Sequence, residues 1–124
     1  MLGLVISTHG TMYQKDFTNP LYESVGKVVE GYIERVKPAF LPRPFVIIVN
    51  EEGRLRRLPL NKVGSAWYAG PIVGNIVVMK DGFTDDGPDI VGLTNEELKK
   101  VIGIVSFMTR GEYRLIAEPK GEQK

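Results

Sequence analysis

Two short apolar runs constrain the fold of this chain most. They occupy residues 45–49 (Phe-Val-Ile-Ile-Val) and residues 72–79 (Ile-Val-Gly-Asn-Ile-Val-Val-Met). Each has the length of one strand, and β-branched residues dominate both runs. The second run is strongly apolar and predicts a strand at the centre of a sheet, with Gly74-Asn75 as a candidate bulge.

Two helices accompany these strands. The first is predicted to begin with Asn19 as its cap and Pro20 in the first helical position, and to end at Gly31. The second begins with a capping box formed by Thr94 and Glu97. Both have apolar residues at helical spacing, which are Leu21, Val25, Val28 and Val29 in the first and Leu98, Val101, Ile102 and Val105 in the second.

The remaining elements predict the fold class. Further strands are expected at residues 2–7, 32–36 and 113–117, and a hairpin is expected over residues 45–58. Loops are expected through Tyr13 and Phe17 and over residues 80–92. Because strands and helices do not alternate strictly, we predict an α+β fold with a mostly antiparallel sheet and two helices. Residues 1–117 form the single domain, and residues 118–124 form a flexible tail.

Composition excludes several classes of function. The formal net charge is +1, which argues against a DNA mimic and against strong nonspecific nucleic-acid binding. The chain has no cysteine, so disulfides and thiolate metal sites are excluded. The apolar start has no basic region before it and breaks at Ser7, unlike a signal peptide or a membrane span. We expect a cytoplasmic protein with no membrane or DNA partner, no metal and no cofactor.

Three arginines stand out in the predicted hairpin. A Glu-Gly turn leads into a return strand with Arg54, Arg56 and Arg57. Arginines on a sheet are held in place before a ligand binds, and the forked geometry of their guanidinium groups suits phosphate oxygens. Strand alternation would place Arg54 and Arg56 on one face and Arg57 with Leu55 on the other. The alternative is a solvated hairpin edge that charge protects from aggregation.

Several short motifs resemble those of a small phage and prophage family. They are Gly31-Tyr32-Ile33-Glu34, Asn50-Glu51-Glu52-Gly53, Leu58-Pro59-Leu60-Asn61, Val73-Gly74-Asn75-Ile76-Val77-Val78 and Leu93-Thr94-Asn95-Glu96-Glu97. The resemblance covers residues 24–107, and the family is catalogued mainly as a domain of unknown function.

The chain also resembles the first-described class of Thoeris anti-defence proteins, which sequester cyclic ADP-ribose signals of bacterial immunity. In that class arginines bind the phosphates, an aromatic ring stacks on the adenine, and the ligand stays intact. The class is also similar to sponges for cyclic oligonucleotides, whose sites form by oligomerisation. The resemblance implies ligand-binding residues Arg56, Arg57, Phe83, Asn95 and Arg110. Because 124 residues give limited depth to enclose a dinucleotide-sized ligand, we also expect a homodimer or larger assembly with the site near the subunit boundary.

The aromatic and cationic members of this set also have structural interpretations. Phe83, in the predicted loop, is either a stacking platform for a base or an anchor of that loop to the core. Arg110 follows the second helix, where a cation also suits the helix dipole. Trp67 and Tyr68 are either an oligomer contact or part of the core.

Two other functions remain open. His9, the single histidine, or the aspartates Asp81, Asp85, Asp86 and Asp89 could serve a nucleotide or phosphoester hydrolase. The closing glutamate of an EF-hand is missing, however, so the aspartates favour a solvated loop over a calcium site. A module that binds a host protein through the hairpin is the third hypothesis. A noncatalytic protein that sequesters a cyclic nucleotide signal is the function we favour.

Overall fold

The computed structural model describes residues 1–120, which form seven strands and three helices. The strands are β1 (Leu2–Ile6), β2 (Thr11–Asp16), β3 (Ile33–Val36), β4 (Phe45–Asn50), β5 (Ile76–Thr84), β6 (Gly87–Val91) and β7 (Arg114–Leu115). The helices are α1 (Leu21–Val29), α2 (Lys62–Tyr68) and α3 (Asn95–Met108). The sheet order is β3-β4-β5-β1-β2-β7, and β6 pairs with the second half of β5. All these pairs are antiparallel except β2 with β7, so the α+β prediction is confirmed.

The central strands are apolar on both faces, and each face has its own buried cluster. Side chains alternate along a strand, so Ile47 and Val78 pack against α2 and α3, whereas Ile48 and Val77 pack against α1. We name these sides of the sheet the α2–α3 face and the α1 face. Burying each large apolar side chain contributes about 1.5–3 kcal/mol, so the sheet is stabilised from both sides.

Helix α1 differs from its prediction at both ends. Pro20 is the N-cap and makes no side-chain capping bond, so Asn19 does not cap the helix as expected. The left-handed residue at the other end is Glu30, with φ of 67°, rather than Gly31. Gly31 is required for close approach instead, since a Cβ there would lie 2.7 Å from the Nδ2 of Asn50.

Helix α3 begins as the sequence predicts. The hydroxyl of Thr94 accepts the N–H of Glu97 at 3.1 Å, and the Glu97 carboxylate accepts the N–H of Thr94 at 2.8 Å. Leu98, Val101 and Val105 are buried against the sheet. The capping box and the apolar spacing are both confirmed.

Helix α2 was not predicted. Asn61 caps it by accepting the N–H of Gly64 at 3.0 Å. The Asn61 side chain is fully buried, and its amide also donates to the carbonyls of Ile6 and Gly74 at 3.0 Å each. Trp67 is 2% exposed and belongs to the core.

Two predicted loops are strands. Tyr13 lies in β2 rather than in a loop, and it is buried on the α1 face. The predicted loop over residues 80–92 is instead the end of β5, a turn at Asp85 and Asp86, and β6. Pairing with β6 overrides the low strand propensity of the glycines and aspartates in this segment. Residues 72–75 precede β5, so Gly74-Asn75 is not a bulge within it.

The return strand of the predicted hairpin does not form. After β4 the chain makes successive turns, in which Arg56 N–H donates to Glu52 at 3.0 Å and Leu58 N–H donates to Gly53 at 3.1 Å. The side chain of Asn50 starts these turns by accepting the N–H of Glu52 at 2.8 Å. The arginines therefore lie on a turn, and the strand alternation expected for them does not apply.

The strand expected at residues 113–117 is shorter in the structure. Strand β7 has two residues, Arg114–Leu115, beside β2. In the segment predicted to be a tail, Glu118 forms an ion pair with Lys15. The last part of that segment, residues 121–124, lies outside the described residues.

Candidate ligand-binding cleft

The β5–β6 hairpin presents Phe83 on the α1 face of the sheet. Phe83 pairs with Pro88, and Asp81 pairs with Ile90. Because alternate residues share a face, Phe83 and Asp81 project to the same side as the buried Met79. Helix α1 covers Met79 but leaves Phe83 84% exposed. The aromatic ring of Phe83 is therefore exposed to solvent although its backbone is part of a paired strand.

Arg35 and Lys37 provide positive charge on the same face. Arg35 in β3 pairs with Ile48, whose side chain belongs to the α1-face cluster. Lys37 follows two residues later. With the hairpin they form an open cleft of about 540 Å³. Its lining residues are Arg35, Lys37, Asp81, Gly82, Phe83, Pro88, Asp89 and Ile90.

One of the two cations is already engaged. The Nη1 of Arg35 lies 2.7 Å from Oδ1 and 2.8 Å from Oδ2 of Asp81. Both side chains are 41% exposed, so water reaches this pair. Lys37 forms no ion pair within residues 1–120. The cleft thus combines an exposed aromatic ring, a free ammonium group and a paired guanidinium group.

Arg56 and Arg57 do not line this cleft. The Nη1 of Arg56 donates to the backbone carbonyl of Glu30, at the end of α1. Arg57 is exposed, has φ of 56°, and makes no side-chain hydrogen bond in the described part of the chain. Arg56 therefore makes a structural contact, whereas Arg57 is exposed to solvent.

Asn95 and Arg110 lie at opposite ends of α3. The helix has 14 residues and is therefore about 21 Å long. Arg110, with φ of 52°, lines a second depression of about 360 Å³ with Lys62, Met108 and Glu112. One small ligand cannot contact Asn95 and Arg110 in the same subunit.

Of the five residues predicted as ligand-binding, only Phe83 lies in the cleft. The structure adds Arg35 and Lys37, which the sequence analysis missed. A signal for Arg35 was present, since the apolar and charged residues of 32–36 alternate as in a half-buried strand. No local signal connects that strand to Phe83, because β4 and β5 bring them together.

The candidate catalytic residues are dispersed: Asp81 and Asp89 line the cleft, whereas His9, Asp85 and Asp86 lie outside it. His9 is exposed, and its backbone N–H donates to the hydroxyl of Ser7 at 3.2 Å. Asp85 and Asp86 are exposed in the hairpin turn. Within residues 1–120, no three His, Asp or Glu side chains are grouped so that they could hold a metal ion.

Two groups with shifted pKa values lie outside the cleft. A hydrogen bond from Lys80, at 2.7 Å, and the N–H of Thr94 lower the pKa of Glu97. Burial raises the pKa of Tyr113, whose hydroxyl donates to the carbonyl of Ser7 at 3.0 Å. Both groups connect elements of the fold, so their shifts indicate structural roles.

The fold and the cleft define a small α+β domain with an open, mixed-charge depression beside an exposed aromatic ring. The chain belongs to the family described as "Domain of unknown function (DUF3846)", whose model matches residues 1–106. That match begins earlier than the resemblance seen in the sequence and includes β1 and β2. Comparison with curated proteins and with solved structures finds no match. No helix in residues 1–120 is long and apolar enough to cross a membrane.

Proposed function

We propose that this protein captures a small nucleotide-derived anion and releases it unchanged. In its most specific form, the protein is a phage-type anti-defence sponge for a cyclic ADP-ribose isomer or a related cyclic nucleotide. Such a protein acts by lowering the concentration of free signal, so tight binding and slow release matter more than turnover.

The observation that carries this proposal is the exposure of Phe83. Its ring is 84% exposed although it belongs to a strand with paired neighbours on β6. An aromatic face exposed to water accepts a purine by stacking, with about 1–3 kcal/mol per base. The sheet fixes the backbone of Phe83 before a ligand arrives, so the ordering cost at binding is confined to the side chain.

The two cationic side chains of the cleft offer contacts for an anionic ligand, and the carboxylates of Asp81 and Asp89 balance their charge. Arg35 and Lys37 lie on the same face as Phe83 and suit phosphate oxygens. A volume of about 540 Å³ falls in the usual range for small-molecule sites, roughly 300–1,000 Å³. Phosphate and base would thus contact different sides of one cleft.

The open shape of the cleft favours a site completed by a second subunit. A single subunit would leave a dinucleotide-sized ligand largely in water, whereas typical sites bury most of their ligand. We therefore propose a homodimer or larger assembly with the cleft near the subunit boundary. In such an assembly Arg110 and Asn95 of a second copy are the candidates for further ligand contacts.

Heat release tests capture against catalysis. The purified protein is incubated with cyclic ADP-ribose isomers and a cyclic dinucleotide, filtered, and heated, and both fractions are examined by mass spectrometry. We expect one compound to be depleted and to return intact after heating. Recovery of a linearised or dephosphorylated product would identify a hydrolase instead.

Two variants extend this test. His9→Ala should deplete the signal as well as the wild type does, because His9 lies outside the cleft. Arg35→Ala should deplete less. Depletion of no compound by the wild type would favour the third hypothesis, a module that binds a host protein.

A further inference from the structure

We infer that Asp81 is an internal competitor for the phosphate-binding guanidinium of Arg35, and that a diphosphate displaces it on binding. This inference rests on the proposed function for its biological meaning. The anion site itself is defined by Arg35, Lys37 and Asp81 in the cleft. Asp81 then determines which anions bind, because only a ligand of sufficient charge displaces a carboxylate.

The geometry of the ion pair makes exchange feasible. Asp81 uses both oxygens, but it occupies only the Nη1 of Arg35, at 2.7 and 2.8 Å. The Nη2 and Nε of Arg35 have no hydrogen-bond partner in the described residues. A phosphate can first bind these remaining donors and then replace the carboxylate. Because both side chains are 41% exposed, the pair is weak and water can solvate the released Asp81.

Backbone hydrogen bonding and strand pairing hold Asp81 in place. The N–H of Asp81 donates to the carbonyl of Pro44 at 2.9 Å, and Ile90 lies opposite on β6. Asp81 is thus fixed by β6 on one side and by Pro44, the residue before β4, on the other, whereas Arg35 reaches it with a long side chain from β3. The guanidinium is the group that moves when an anion binds.

Charge and spacing favour a diphosphate over a single carboxylate or monophosphate. Lys37 lies two residues after Arg35, which is about 7 Å along an extended chain. One phosphoryl group can bind Arg35 while the next reaches Lys37. The four charged residues of the cleft, Arg35, Lys37, Asp81 and Asp89, sum to no net charge, and the sum rises to plus one when Asp81 is neutralised. Asp81→Asn should therefore strengthen the binding of every anion.

Titration of inorganic pyrophosphate into ¹⁵N-labelled protein tests this inference. Amide shifts of Lys37, Gly82 and Phe83 give the affinity for wild type, D81N, D89N and R35A. The control D89N removes the same charge from the same cleft, but within residues 1–120 the Asp89 carboxylate accepts only the N–H of Ile90, at 2.7 Å. We expect D81N to bind about three- to tenfold more tightly than wild type. The gain in pyrophosphate affinity should be smaller for D89N than for D81N.

Two double variants, R35A/D81N and R35A/D89N, separate competition from general charge repulsion. In the R35A background, D81N should gain no more than D89N does, because the guanidinium for which Asp81 competes is gone. Thermal melting confirms that each variant is folded.

Each outcome decides the inference. Equal or weaker pyrophosphate binding by D81N, or the absence of shifts in both wild type and D81N, would overturn it. Because pyrophosphate contains no base, this result is independent of the signal that the protein captures. If D81N behaves as expected while no cyclic nucleotide is depleted, the inference stands and the proposed function fails.

Discussion

The guanidinium of Arg56 donates a hydrogen bond to the backbone carbonyl of Glu30, the left-handed residue that ends α1. Carbonyls at the end of a helix have no partner within it, and a cation also suits the negative end of the helix dipole. Arg56 therefore connects the turn after β4 to the end of α1. This contact gives Arg56 a structural role that requires no bound ligand.

Arg56→Ala should lower the free energy of unfolding by about 0.5–1.5 kcal/mol, the usual contribution of one hydrogen bond. It should leave ligand affinity unchanged. Urea denaturation followed by fluorescence measures the stability, with Arg57→Ala as the matched control, expected within about 0.5 kcal/mol of wild type. Lost affinity with unchanged stability in Arg56→Ala would return this arginine to the ligand site.

Asn61→Ala should destabilise the protein far more than either arginine variant. The side-chain amide of Asn61 donates hydrogen bonds to the carbonyls of Ile6 and Gly74, and its side-chain oxygen caps α2 by accepting the N–H of Gly64. The variant leaves these buried groups without partners, at about 1–3 kcal/mol for each. We expect a loss of at least about 3 kcal/mol in denaturant unfolding. A loss below that of Arg56→Ala would show that the buried network contributes little.

Glu97 should make stability depend on pH in the acid range. Its folded-state pKa lies below the ordinary value of 4.5, chiefly because Lys80 hydrogen-bonds the ionised form. A lowered pKa contributes stability that is fully present above the unfolded value and is lost as pH falls through the folded value. Glu97→Gln should be less stable than wild type at neutral pH. The difference should shrink below about pH 4.5 and vanish in stronger acid. A constant difference across this range, measured by thermal melting, would contradict this role.

The sequence predicts those elements whose local chemistry agrees with their packing. The capping box of Thr94 and Glu97 and the apolar spacing of Leu98, Val101 and Val105 describe α3 correctly. The apolar run at residues 45–49 corresponds to β4. In these segments the residues that favour the backbone conformation are also those that the core requires.

The sequence fails where pairing between distant segments determines the structure. The segment 80–92 contains the glycines and aspartates of a loop, but β5 and β6 hold it as a hairpin through five paired positions. Arg35 and Phe83 are 48 residues apart in the chain and meet only because β4 lies between their strands. The segment after β4 forms no return strand, because the Asn50 side chain accepts the N–H of Glu52 and successive backbone turn bonds follow.

The most direct test of the account is a calorimetric titration of Phe83→Ala beside Phe107→Ala, with the compound that the wild type depletes. Phe83 and Phe107 are 84% and 87% exposed, so neither truncation should change the melting temperature appreciably. Phe83→Ala should lose about 1–3 kcal/mol of binding free energy, the contribution of one stacked base, and Phe83→Trp should retain most of it. Phe107→Ala should bind as wild type does. Full affinity in a folded Phe83→Ala variant would contradict the central claim that this cleft holds the ligand.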